Sequence, residues 1–272
     1  MSEDSAFPSG DLMKGKRGLI MGVANKNSIA WGCAQQLAAQ GAEIAFSYIP
    51  AMESRVRQLG EQIGVRLFIE ADVMSDDDMD RAFAEIEREW GRLDFLVHAI
   101  AFTDKEALKG SFVENTTRRN FRDTMDVSAF SFVDAARRAS KLMPAGGSMV
   151  TLTYLGSERV VPNYNVMGVA KAALEASMRY VARDLGPKGV RVNAISAGPM
   201  KTLAMAGITG GRQLMSVGRD WSLLKEDTTM EGVAGAALYL LSDLGASCTG
   251  ETLHVDAGFH AVAVPSIDEI AK

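Results

Sequence analysis

Cysteine is nearly absent from this chain. Cys33 and Cys248 are the only two, far apart and outside any C-x-x-C or His–Cys cluster, so neither a disulfide framework nor a zinc site has support and no metal is expected. A reducing, cytoplasmic setting fits that usage. Long apolar runs are missing too: none approaches the ~18 residues of a membrane span. The opening MSEDSAFPSGDLMKGK carries acidic and polar residues where a secretory signal needs a basic stretch and then an apolar core. No membrane partner is expected, and residues 1–13 read as a loose N-terminal tail. Positive charge does not dominate, with 29 Lys and Arg against 34 Asp and Glu, a net charge of -5 and no basic cluster, which argues against a nucleic-acid partner. Repeats, linkers and low-complexity segments are lacking as well, so 272 residues at 47% apolar composition point to one core.

What the chain does have is alternation. Short β-rich apolar runs recur at Gly18–Val23, Glu43–Tyr48, Arg66–Ile69, Phe95–Ala99, Ser148–Leu152, Val190–Ile195 and Thr252–Val255. Between them lie amphipathic stretches such as Ser28–Gln40, Asp76–Trp90, Asn165–Asp184 and Met230–Leu241, and Thr116–Ala139 reads as one further helix. Strand–helix alternation predicts an α/β fold: a doubly wound domain over 14–272 whose seven-stranded parallel sheet is flanked by helices on both faces. Residues 197–229, with five glycines and several methionines, show no firm period and are expected to form a long functional loop, a lid over a substrate.

After the first strand, GVANKNSIAWG at 22–32 turns into a helix opening near Asn27 and Ser28. A helix N-terminus with free N–H groups attracts a pyrophosphate. The run departs from G-x-G-x-x-G, however, and capping explains the Asn and Ser equally well, so the turn by itself reads either way. The second strand ends FSYIP at 46–50, with no acid for a ribose 2′-hydroxyl and no cation for a 2′-phosphate before Arg55, and this favours NADH over NADPH. Asp72 and Val73 follow the third strand, and His98-Ala99-Ile100-Ala101 ends the fourth, at the sheet edge where ligands of such folds bind. With no base partner nearby in sequence, His98 reads as a packed strand-end imidazole.

The stretch LTYLGSERVVPNYNVMGVAK, residues 152–171, carries the chemistry. Tyr164 and Lys171 are seven positions apart, about 700° of helix rotation, so both leave one face two turns apart. A lysine ammonium beside a phenol is expected to favour the phenolate and lower the tyrosine pKa, and it can donate to sugar hydroxyls. Taken alone, such a spacing is common on surface helices and weak as a signal.

Together, GVANKNSIAWG at 22–32, HAIAFTDK at 98–105, TYLGSERVVPNYNVMGVAKAALEA at 153–176, RVNAISAGPMKTLA at 191–204 and GETLHVDAGF at 250–259 closely resemble the short-chain dehydrogenase/reductase superfamily. Within it, the chain from about Lys14 to Val264 is similar to the bacterial NADH-dependent enoyl-[acyl-carrier-protein] reductases, which place the lysine seven rather than four residues after the tyrosine and add a second tyrosine ten residues upstream, here Tyr154. The resemblance implies a Rossmann-like fold, a homotetramer, and hydride transfer from NADH to the β-carbon of a trans-2-enoyl thioester carried on acyl carrier protein. It also implies catalytic roles for Tyr154, Tyr164 and Lys171. Gly22, Ser28 and Ile29 would meet the pyrophosphate and adjoining sugars, Asp72 and Val73 the adenine, and Ala99 and Ile100 the adenosine and nicotinamide side. Lys171 would hold the nicotinamide ribose, with Met200 and Thr202 near the carboxamide and pyrophosphate.

The match departs at GITGG, 207–211, where the family often has an aromatic. It departs again at DWSLLKEDTT, 220–229, whose acids would disfavour an acidic carrier protein, and at Ala129 and Phe130. A reductase of carbonyl or enoyl-coenzyme A substrates, or an inactive dinucleotide sensor, are the competing readings.

Overall fold

Apolar runs that do not alternate with polar residues need cover on both faces, and parallel sheets provide it. The computed structural model describes residues 7–264. It places β1 (Arg17–Met21), α1 (Ile29–Ala39), β2 (Glu43–Tyr48), α2 (Glu53–Gln62), β3 (Leu67–Glu70), α3 (Asp76–Trp90) and β4 (Phe95–His98) in the first half. Then come α4 (Phe112–Asn115), α5 (Arg118–Met125), α6 (Ser131–Ala139), β5 (Gly147–Thr153), α7 (Asn165–Leu185) and β6 (Val190–Ala197). The last elements are α8 (Leu203–Ala206), α9 (Gly211–Trp221), α10 (Met230–Leu241) and β7 (Thr252–Val255). All seven strands pair in parallel in the order β3-β2-β1-β4-β5-β6-β7, so the order in which strands are added reverses between β1 and β4 while every strand runs the same way. That switch point opens a crevice at the strand C-termini.

One apolar cluster lies on each face. Met79, Ile86, Phe132, Leu174 and Met178 from α3, α6 and α7 cover one side, and Trp31, Leu37, Val56, Val233 and Leu240 from α1, α2 and α10 cover the other. Capping defines the helix ends where the sequence supplies it. Ser75 accepts from the Asp78 N–H, three acids occupy the first turn of α3, and Gly91 closes it in the left-handed conformation at φ 67°. Acids at the start complement the helix dipole, and glycine takes that φ without strain.

Three expectations are corrected. Residues 7–13 are not a loose tail: the Gly10 and Met13 N–H groups bond to Ala39 and Gln40 carbonyls, and Met13 is fully buried. The buried amides of Gln36 and Gln40 both donate to the Pro8 carbonyl, because buried donors require partners. Residues 197–229 are not a structureless loop but contain α8 and α9. The expected single helix over Thr116–Ala139 begins at Arg118 behind a Thr117–Asn120 capping box and is interrupted by a π-helical turn, Asp126–Phe130. That turn aims the Ser128 hydroxyl at the loop after β4, where it donates to the Phe102 carbonyl and accepts the Phe102 N–H. Turns of this kind collect at functional sites, and here one fixes a loop beside the crevice.

Candidate active site

A cavity of about 1390 Å³ occupies the switch point. Its wall includes Gly22, Ser28, Ile29, Ala99, Ile100, Tyr154, Tyr164, Lys171, Met200 and Thr202, so ten of the residues singled out from sequence converge. Asp72 and Val73 are not in that wall. The Asp72 carboxylate is turned to the Met74 N–H at 3.0 Å, and Val73 packs on the α3-side core. His98 is placed as the sequence suggests, inside the core. Its Nε2 lies 2.9 Å from the Ser131 hydroxyl, which itself donates to the Val127 carbonyl and so must accept from the ring. Burial, helped by the charge on Lys171, lowers the imidazole pKa to about 3 and keeps it neutral.

The first strand–helix turn fits a dinucleotide. Gly22 has φ 100°, and a Cβ built there would lie 2.2 Å from the Ala99 carbonyl oxygen, so only glycine lets the two strand ends close around a narrow ligand. Ser28 does not cap α1. Its hydroxyl donates to the Asn25 carbonyl at 2.6 Å, no side chain caps the helix, and no acid sits in its first turn. The Trp31 and Gly32 N–H groups return to the Ser28 carbonyl, while Ile29 and Ala30 stand in the cavity wall with the positive end of the helix dipole behind them, as a pyrophosphate needs.

Tyr154 follows β5, and Tyr164 immediately precedes α7. The two buried rings meet edge to face, with centroids 5.0 Å apart. Asn163 and Asn165 on either side of Tyr164 adopt φ 61° and 42°, a left-handed conformation that asparagine tolerates better than most residues. Their amides tie this turn to both sides of the cleft, Asn163 donating to Thr209 and Asn165 to Ala107. Gly156 makes room beneath, because a Cβ there would sit 2.4 Å from the Tyr164 ring.

Two turns into α7, the Lys171 Nζ donates to the Leu152 carbonyl at 2.7 Å. Burial lowers its pKa to about 8, while the charge of Glu175 opposes the fall. The expected lowering of the tyrosine pKa is not found. Burial raises Tyr164 far above its ordinary value, with Tyr154 and Glu175 adding to the effect, and burial with Asp256 pushes Tyr154 up to about 12. Desolvation of a phenolate outweighs one lysine whose ammonium is directed at a backbone carbonyl. Both phenols therefore keep their protons, so each has an O–H to donate.

Sequence reasoning missed two features. Glu175, one turn beyond Lys171 and equally buried, accepts the Thr153 hydroxyl at 2.6 Å; the four-residue spacing was its available signal. An apolar wall of Leu108, Met167, Met205 and Ile208 packs with the two tyrosines, and it has no sequence period because it comes from three separate stretches, the turn before α4, α7, and α8 with the turn after it.

The family model described as enoyl-(acyl carrier protein) reductase matches residues 22–260. The chain is 53% identical to the enoyl-[acyl-carrier-protein] reductase [NADH] 2 of Rhizobium meliloti, over 95% of this chain and 97% of that one. It is 52% identical to the same organism's reductase 1, over 94% of each. Among solved structures, the enoyl-(acyl-carrier-protein) reductase of Anaplasma phagocytophilum, in complex with NAD, superposes with a TM-score of 0.93 at 50% identity, covering 96% of this chain and all of that one.

Proposed function

Since this chain belongs to the enoyl-[acyl-carrier-protein] reductase family, we propose how its cleft performs the family's reaction. The protein is an NADH-dependent oxidoreductase that reduces the double bond of enoyl thioesters carried on acyl carrier protein in fatty acid synthesis. The observation that carries the assignment of roles is the pair of buried, protonated tyrosines beside Lys171 at one end of a cavity whose other end is the glycine-and-helix cradle.

NADH, when bound, supplies a hydride for the substrate β-carbon. Gly22, Ser28 and Ile29 hold the pyrophosphate side, Ala99 and Ile100 the face along β4, and Met200 and Thr202 the carboxamide end. Asp72 and Val73 stand at the adenine rim. Lys171 holds the ribose hydroxyls. Tyr164 donates its O–H to the thioester carbonyl oxygen and stabilises the enolate formed as the β-carbon is reduced; the α-carbon then takes a proton. One such donor contributes roughly 3 kcal/mol, about 10²-fold in rate. Tyr154 packs against Tyr164, lines the acyl side and excludes water. Residues 14–272 act as one catalytic domain with 197–229 as its lid.

A cytoplasmic setting fits the cysteine usage, and among the described residues no helix is long and apolar enough to cross a membrane. A homotetramer is supported by the apolar side chains of Phe121, Phe130, Val169 and Tyr180 exposed on α5, α7 and the turn between α5 and α6. Light scattering should give four times 29.2 kDa.

Oxidation of NADH with trans-2-enoyl thioesters tests the roles. Tyr164→Phe should lower kcat about 10²-fold while NADH binding, followed by fluorescence, persists. Equal turnover by the variant would remove Tyr164 from the mechanism. Binding without turnover in the wild type would favour the sensor.

A further inference from the structure

Dinucleotide sites that select NAD commonly place an acid at the end of the second strand, and β2 ends in Tyr48, Ile49 and Pro50 without one. The fold returns a carboxylate to that spot from the first residue of α2. Glu53 Oε1 accepts the Arg57 Nε–H at 2.9 Å and the Tyr48 O–H at 3.2 Å. The Arg57 Cζ lies over two rings, 5.6 Å from the Tyr48 centroid and 5.0 Å from that of Phe68. The preceding residue, Met52, lines the large cavity, as do Ser28 and Ala24. Neither Glu53 nor Arg57 is in that wall, but Glu53 directly follows Met52, and the guanidinium one helical turn further on is held by this acid.

We propose that Glu53 is the residue that makes this enzyme select NADH over NADPH. Its carboxylate neutralises Arg57, fixes it against Tyr48 and Phe68, and adds a negative charge where a 2′-phosphate would arrive. An arginine so placed would otherwise be the partner such a phosphate needs, bidentate and planar. The inference rests on the cavity being the dinucleotide cleft.

The test is equilibrium titration with NADH and NADPH, followed by nicotinamide fluorescence, on the wild type, Glu53→Gln and the double variant Glu53→Gln/Arg57→Gln. Both side chains are about half exposed, so the variants should fold. Glu53→Gln should lower the ratio of the NADPH to the NADH Kd by about 3- to 5-fold, the upper end of the scale for one partly exposed charge pair. The gain should shrink in high salt and disappear in the double variant. A ratio unchanged within twofold in Glu53→Gln, or a gain that survives removal of Arg57, would overturn the proposal. Absence of NADH binding in the wild type would instead overturn the reading of the cleft, and this inference with it.

Discussion

The two walls of the cleft are built on opposite principles. The cofactor wall consists of strand ends and the first turn of α1, where Gly22 and Ala99 approach too closely for a single added carbon and His98, beneath them, is completely buried. The substrate wall is assembled from short helices. α8 has four residues, α9 buries only Gly211 and Gly218, and Leu203, Leu223 and Leu224 remain exposed. Rigid packing suits a ligand that never changes. Sparse packing suits an acyl chain that lengthens with each cycle.

If the cofactor wall is as unyielding as its distances imply, the largest effect in the molecule should come from one carbon skeleton placed there. Gly22→Val would set a β-branched side chain at φ 100° with its Cβ 2.2 Å from the Ala99 oxygen. Strain of about 1–3 kcal/mol plus the clash should lower the melting temperature and weaken NADH binding beyond ~100-fold. Calorimetry and NADH titration measure both. Near-normal binding would mean that this wall yields like the other one.

The same contrast explains what could be read from sequence. β2, β7, α3 and α10 begin and end at the expected residues, because apolar runs, caps and glycines are local signals. Ten cavity residues were legible through motifs at strand ends, where a parallel sheet necessarily gathers them. The substrate wall was not, since Leu108 comes from one short stretch and Met205 and Ile208 from another, and only tertiary packing decides how the two are placed. The sign of the Tyr164 shift was also out of reach. Spacing reveals a nearby lysine but not the depth of burial, and burial dominates. Gln36 and Gln40 look like ordinary helix-surface residues until the N-terminal segment is seen to satisfy them.

A smaller effect probes where the two walls join, at Lys171. Its pKa of about 8 means that the ammonium is present below pH 8 and lost above it, so kcat/KM should fall on the alkaline side near that pH. Glu175 holds the pKa up. Glu175→Gln should therefore move the alkaline limb to lower pH, by about one unit, costing roughly tenfold at pH 9 and little at pH 6. An unmoved limb would show that Glu175 serves packing alone. Stability responds in the matching sense. The unfolded lysine titrates near 10.5 and the folded one near 8, so the buried ammonium is a cost below pH 8 that is relieved as pH rises between the two values. Relative to Lys171→Met, the wild type should gain up to about 3 kcal/mol across that window in denaturant titrations.

The smallest predicted effect is the one that most sharpens the contrast. Ile208 packs with Tyr154 and Tyr164 from the lid side, and Ile208→Ala removes apolar surface along the acyl path without touching the cradle. Each buried methylene contributes about 0.8 kcal/mol at most, and a wall that can partly close over the gap recovers some of it. The expected loss is about 3- to 10-fold in kcat/KM for a dodecenoyl thioester, with crotonyl turnover and NADH affinity nearly unchanged. Chain length is the discriminating variable. If the short and long substrates lose equally, Ile208 supports the tyrosines rather than the acyl chain, and the substrate wall is a rigid extension of the catalytic site. If only the long substrate suffers, the lid contributes binding along the chain while the chemistry stays with Tyr164 and Lys171, the division of labour that the uneven packing of the two walls implies.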